Sequence, residues 1–283
     1  MKHHTAQRVF FNSLFALLLC TSLTAPHITL AADVSGTDSK STIGSVIADD
    51  YGNFYSHDRL IRLGIAFGLG GVAANTNIDM NIRNWYQDKV RNEQTDSWAS
   101  NIENPSGFYA KTFGEGKYMV PVALLAAGVN LIDEDTAVGN WGANASRAYI
   151  VGLPVVWGMQ WTTGAGRPSE NLPEGSHWRP INIVDGHGVS GHSFVGAVPF
   201  LTIAAMNPDN GWVKYPAYVA SMAAGWSRIN DDAHFPSQVV LGWYMAWEAV
   251  NSVMDSNAQQ KKGLKVAPMA GLDGFGLMAS ANW

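Results

Sequence analysis

The chain has 283 residues, 47% hydrophobic and only 14% charged, with 18 Lys and Arg against 23 Asp and Glu. Globular domains carry roughly 25% charged residues, and disorder, which needs high charge and low hydrophobicity, is excluded. A net charge of −5 argues against a nucleic-acid partner, which selects a basic face. Two explanations of the low charge stand: a membrane protein or a very apolar core.

Residues 1–31 read as a signal peptide. Lys2 and Arg8 make a basic start, Val9 to Leu19 is mostly apolar, and Thr29-Leu30-Ala31-Ala32 supplies small residues for cleavage after Ala31. Asn12 and Ser13 break the apolar run, which is too short to span a bilayer. Leu19 is too bulky before Cys20 for lipid attachment. The expectation is a periplasmic or secreted protein. Cleavage removes Cys20, the only cysteine, so no disulfide or thiol chemistry is expected. Histidine chemistry then rests on His57, His177, His187, His192 and His234.

Residues 32–57 are rich in Ser, Gly and Asp and read as a loose polar leader. A single helical domain is expected over 58–255, with a separate tail at 256–283. Its apolar segments of helical length run from Leu60 to Ala74, Tyr118 to Ile132, Ala148 to Trp161, Ser193 to Met206, Ala217 to Trp226 and Val239 to Met254. They predict six to nine helices. Arg62, Pro154, Pro199 and Glu248 interrupt them, so none reads as a clean transmembrane span; peripheral membrane contact stays open. In the tail, Gly271-Leu272-Asp273-Gly274 reads as the turn of a β-hairpin.

Three clusters carry chemistry. The first runs from Gln160 to Arg167-Pro168. The second, Val189-Ser190-Gly191-His192, directly precedes an apolar helix; Ser190 is a good N-cap, and amides at a helix start bind anions such as phosphate. The third is Ser227-Arg228, then His234, then Gln238 at i+4, where its side chain can orient the imidazole. Two arginines, two histidines and a helix N-terminus meet the needs of phosphoryl transfer: charge neutralisation, a nucleophile and a proton donor. Asp231, Asp232, His234, His187 and His192 also offer metal-ligating atoms, but without a compact ligand motif; no metal or other cofactor is expected. His177 and Arg179 fall between the first two clusters. Trp157, Trp161, Trp226, Trp243 and Trp247 flank them, suited to stacking on a substrate or to the core.

The order and spacing of these clusters resemble the signature of the type 2 phosphatidic acid phosphatase superfamily, which includes bacterial acid phosphatases and vanadium-dependent haloperoxidases. That signature is Lys, six residues, Arg-Pro; then Pro-Ser-Gly-His; then Ser-Arg, five residues, His, three residues, Asp. The match spans residues 160–238. It implies an all-α helical bundle and a metal-independent phosphatase acting on a phosphate monoester or pyrophosphate, free or lipid-linked. It further implies that His234 forms a phosphohistidine and that His192 protonates the leaving oxygen. Gln160, Arg167, Ser190, Gly191 and Arg228 would then bind phosphate.

Three positions depart from the signature. Gln160 replaces lysine, Val189 replaces proline and is expected to loosen its loop, and Gln238 replaces the aspartate that orients His234. An amide accepts the imidazole N–H but does not stabilise an imidazolium as a carboxylate does. The alternatives are a slower enzyme, a compensating acid at Asp231 or Asp232, a catalytically silent phosphate- or lipid-binding homologue, and a vanadate-dependent haloperoxidase.

Overall fold

The computed structural model describes residues 43–100, 109–133, 135–170, 175–181 and 186–261, together with the backbone of 265–271 and 274–280. The expected signal peptide and residues 32–42 of the expected leader lie outside the described residues. The described chain forms α1 (Ile43–Phe54), α2 (His57–Ala74), α3 (Ile78–Lys89), α4 (Glu93–Ser100), α5 (Ala110–Phe113) and α6 (Gly116–Gly128). It continues as α7 (Ala137–Thr163), α8 (Gly191–Met206), α9 (Gly211–Ser221), α10 (Ala223–Asn230) and α11 (Pro236–Lys261). The tail pairs β1 (Lys265–Gly271) with β2 (Gly274–Ser280) in antiparallel register, Gly271 opposite Gly274. The domain is an all-α bundle carrying this short hairpin.

There are more helices than the six to nine predicted. The segment Ala217 to Trp226 divides at Met222 into α9 and α10. The polar helices α3 and α4 have too few apolar residues to show in a hydrophobic pattern. Residues 43–54, read as part of a loose leader, are helical instead: Phe54 is fully buried, and Asp50 accepts hydrogen bonds at 2.6 and 2.7 Å from Arg147 of α7.

The core lies between α7, α8 and α11, where Tyr149, Val156, Phe194, Leu201, Leu241, Met245 and Val253 pack together. Two prolines, expected as breaks, sit inside continuous helices: Pro154 in α7 and Pro199 in α8. Proline cannot donate to the carbonyl four residues back. The carbonyl of Ile150, four before Pro154, accepts from the Tyr51 hydroxyl at 2.9 Å. That of Val195, four before Pro199, accepts from the Tyr149 hydroxyl at 2.9 Å. Each helix therefore continues because a neighbouring tyrosine satisfies the freed oxygen.

Two contacts set the site's frame. A Cβ on Gly242 of α11 would stand 2.3 Å from the Ser190 carbonyl oxygen, so only glycine lets α11 approach the start of α8 this closely. Asp79 of α3 accepts from the Ser237 backbone N–H at 2.9 Å, satisfying a free amide of the first turn of α11. No helix among the described residues is long and apolar enough to cross a membrane.

Candidate active site

The third cluster closes on itself. After α10 the chain turns so that the backbone amides of Ala233 and His234 both donate to the Arg228 carbonyl, at 2.9 and 3.2 Å. The five-residue gap is the length of that turn, and it sets His234 beside Arg228. His234 is nearly fully buried. Its Nδ1 lies 2.8 Å from Gln238 Oε1. The amide's orientation is fixed by two backbone groups: Phe235 N–H donates to Oε1 at 3.1 Å, and Nε2 donates to the Gly166 carbonyl at 2.8 Å. Oε1 is thus the acceptor, the imidazole proton resides on Nδ1, and Nε2 is left as the basic nitrogen.

Electrostatics favour the neutral ring. Burial pushes the His234 pKa well below its ordinary value of 6.5, and the positive charge of Arg167 lowers it further; His187 and His192 act in the same direction, and only Gln238 opposes them.

Arg167 follows a sharp turn. Gly164 ends α7 in the left-handed region at φ 57°, a conformation glycine adopts freely. Arg167 N–H then donates to Glu170 Oε2 at 3.0 Å, while Glu170 Oε1 stands 3.6 Å from His187 Nε2. The His187 and His234 rings are 6.5 Å apart, nearly perpendicular.

The second cluster starts α8 as expected from its residues. Ser190 caps the helix, its hydroxyl accepting from Ser193 N–H at 3.3 Å. Val189 does not loosen the loop: it is fully buried, its carbonyl accepts from Gln160 Nε2 at 2.8 Å, and the adjacent Ser190 N–H donates to the Gln238 carbonyl at 2.9 Å. Gln160 therefore acts on the loop that bears Ser190 and Gly191, in addition to any role toward phosphate.

The proposed compensating acids do not reach His234. Asp231 pairs with Arg228 and accepts from the Ser100 hydroxyl, and Asp232 pairs with Arg83 of α3. The carboxylate that does enter the site is Glu115, at the N-cap of α6, with Oε1 3.4 Å from His192 Nε2. That contact holds its pKa below the ordinary carboxylate value against the opposing effect of burial. Burial pulls the Arg228 guanidinium below its ordinary value, opposed by Asp231 and Glu115. Glu115 was not singled out in the sequence: it belongs to no motif and stands 77 positions from its histidine.

Among the described residues no group of three or more His, Cys, Asp or Glu side chains is placed to hold a metal. The tryptophans divide. Trp226 and Trp243 donate to Tyr86 and Ser221, and Trp247 stacks on Tyr244, which are packing roles. Trp161 is half exposed beside Gly186.

The all-α core thus presents two histidines, two arginines and a capped helix start. The model of the PAP2 superfamily, whose members are generally phosphoesterases, matches residues 145–261, the segment that holds all three clusters. No curated protein and no solved structure shows a significant match to the chain.

Proposed function

We propose that the protein is an exported phosphatase that hydrolyses a phosphate monoester or pyrophosphate, free or lipid-linked, through a phosphohistidine. The observation that carries this reading is the state of His234: neutral, buried, with its proton fixed on Nδ1 by Gln238. Nε2 attacks phosphorus in line, the P–O bond breaks, and the leaving oxygen takes a proton from His192. Neutral His192 then removes a proton from water, whose oxygen attacks phosphorus as the P–N bond breaks and its electrons return to Nε2. Arg167, Arg228 and the amides at the start of α8 offset the charge on the phosphoryl oxygens.

The test is phosphate release by the purified protein from p-nitrophenyl phosphate, inorganic pyrophosphate and phosphatidic acid vesicles, beside His234→Ala. Turnover that falls by roughly a thousandfold or more in the variant supports the proposal. No release from any of the three by wild type would overturn it in favour of a binding protein, and halide oxidation only with added vanadate would favour the haloperoxidase.

A further inference from the structure

His192, the proton donor of the reading above, packs against a turn that belongs to none of the three clusters. Gly114 and Glu115 join α5 to α6 and precede the segment that the superfamily model matches. The turn sits hard against α8. The Phe113 ring at the end of α5 meets Phe200 edge-on, with centroids 5.1 Å apart. A Cβ on Gly114 would stand 2.9 Å from His192 Cβ and 3.1 Å from its Cδ2. Glu115 Oε1 then lies 3.4 Å from His192 Nε2. The turn therefore covers the Cδ2–Nε2 edge of the imidazole and leaves Nδ1 as the nitrogen available to a substrate oxygen.

We propose that Glu115 is a positioning residue for His192: its carboxylate accepts the Nε2 proton, so that Nδ1 is the atom that serves the leaving oxygen and then water. This rests on the phosphatase reading above. In the first step the imidazolium, protonated on both nitrogens, gives its Nδ1 proton to the leaving oxygen as the P–O bond breaks. The neutral ring keeps its other proton on Nε2, against the carboxylate, and presents an Nδ1 lone pair to water for the second step. Glu115 stays ionised throughout, as a triad carboxylate orients its histidine without taking the proton. Three observations favour this role over a surface ion pair. Glu115 stands at the N-cap of α6 but makes no side-chain cap bond, so its carboxylate is not engaged by its own helix. Its two oxygens divide: Oε1 goes to His192, while Oε2 stands 3.8 Å from Lys117 Nζ. The histidine contact does most to hold the carboxyl below its ordinary pKa, with Lys117 and Lys111 assisting and burial opposing; Arg228 is the other charge that Glu115 acts on. The two histidines then have opposite partners. A neutral amide fixes His234, which must be neutral to attack phosphorus, and a carboxylate fixes His192, which must carry the charge of an imidazolium before it gives its proton.

The experiment compares wild type with Glu115→Gln on p-nitrophenyl phosphate and phenyl phosphate, which differ by one nitro group. Phenol is as weak an acid as the tyrosine side chain, with a pKa of about 10, so its oxygen needs the proton from His192; nitrophenol is far more acidic and leaves as the anion. In the variant, kcat/KM should fall about tenfold further for phenyl phosphate than for p-nitrophenyl phosphate, part of the roughly hundredfold or more that a general acid supplies. Equal losses on the two esters, or no loss on either, would overturn the proposal, because a merely structural glutamate does not distinguish leaving groups. Nitrogen-15 spectra of the imidazoles, with His192→Ala assigning the signal, give a readout that needs no turnover. The neutral His192 ring should carry its proton on Nε2. A proton on Nδ1 would sink the Glu115 proposal even where phosphate is released. An Nε2 proton in a protein that hydrolyses neither ester would support the Glu115 contact while overturning the phosphatase reading.

Discussion

Gln238 makes four contacts that orient a single imidazole, and burial together with the charge of Arg167 keeps that imidazole neutral. Because His234 resists protonation, its nucleophilic form persists well below pH 6.5. The limb of kcat/KM that reports its protonation should therefore lie below that pH, activity falling only as the solution becomes more acid than the depressed value. A limb at or above 6.5 would mean that the ring is solvated. Gln238→Glu keeps the length and adds the missing charge, but it sets an oxygen against the Gly166 carbonyl, 2.8 Å away in the native site. We expect kcat/KM to fall roughly 10–100-fold as the Arg167 turn shifts, and the limb to move to higher pH as the carboxylate favours the imidazolium. Gln238→Asp is too short to keep both partners and should not raise the rate. A faster enzyme in either variant would show that the glutamine impairs the site. The i, i+4 spacing makes the His234–Gln238 pair readable from sequence. Its tether to Gly166, 72 positions away, is not, because only the packed bundle brings α11 against the end of α7.

At the level of elements, the hydrophobic pattern marks the apolar helices well and the prolines mislead. Leu60 to Ala74 and Ser193 to Met206 nearly coincide with α2 and α8. Pro154 and Pro199 look like breaks because the sequence carries no sign of who accepts the hydrogen-bonding duty they leave. The answer is a tyrosine on another helix in both cases. This predicts a cost for an apparently mild change. Tyr149→Phe removes only a hydroxyl but leaves the Val195 carbonyl buried without that donor, which should destabilise the protein by about 1–3 kcal/mol. Tyr51→Phe, whose bond to Ile150 is more exposed, should cost less, about 0.5–1 kcal/mol. Paired denaturant melts check the order; equal costs would mean that the Val195 carbonyl does not depend on the Tyr149 hydroxyl. Helix α1 escapes detection for a different reason: its buried contacts, Phe54 and the Asp50–Arg147 pair, acquire meaning only against α7 and α11.

Across the whole molecule the low charge fraction resolves into two parts. Many apolar side chains face outward, with Trp212 93% and Leu131 90% exposed, while several of the scarce charges are turned inward. Arg62 and Glu248, which interrupt the first and last apolar segments, meet: Glu248 is fully buried and accepts from Arg62 at 2.8 and 3.0 Å, from Arg59 at 2.6 Å and from the Tyr244 hydroxyl at 2.9 Å. They join α2 to α11, the helix that carries Gln238. Burial alone would raise the Glu248 pKa, but Arg62, Tyr244 and Arg59 hold it below the ordinary carboxylate value. Stability from this carboxylate is present above the unfolded pKa of about 4.3 and is lost as pH falls through the lower folded value. His234 acts at milder acidity: the unfolded chain takes up its proton near pH 6.5 and the folded chain does not, so its contribution begins to fall below that pH. Acid destabilisation should therefore come in two stages, and His234→Ala should remove the first while leaving the second. Glu248→Gln should flatten the second stage and lower stability at pH 7. Arg59 keeps Asp255 as a partner and Arg62 is 42% exposed, so the loss belongs at the low end for a broken buried pair, about 3 kcal/mol, or on the order of 10 °C in Tm. Thermal melts from pH 3 to 8 on wild type and both variants decide it; an Glu248→Gln protein that melts with wild type at pH 7 would mean that the arginines, and not the carboxylate between them, hold α2 to α11.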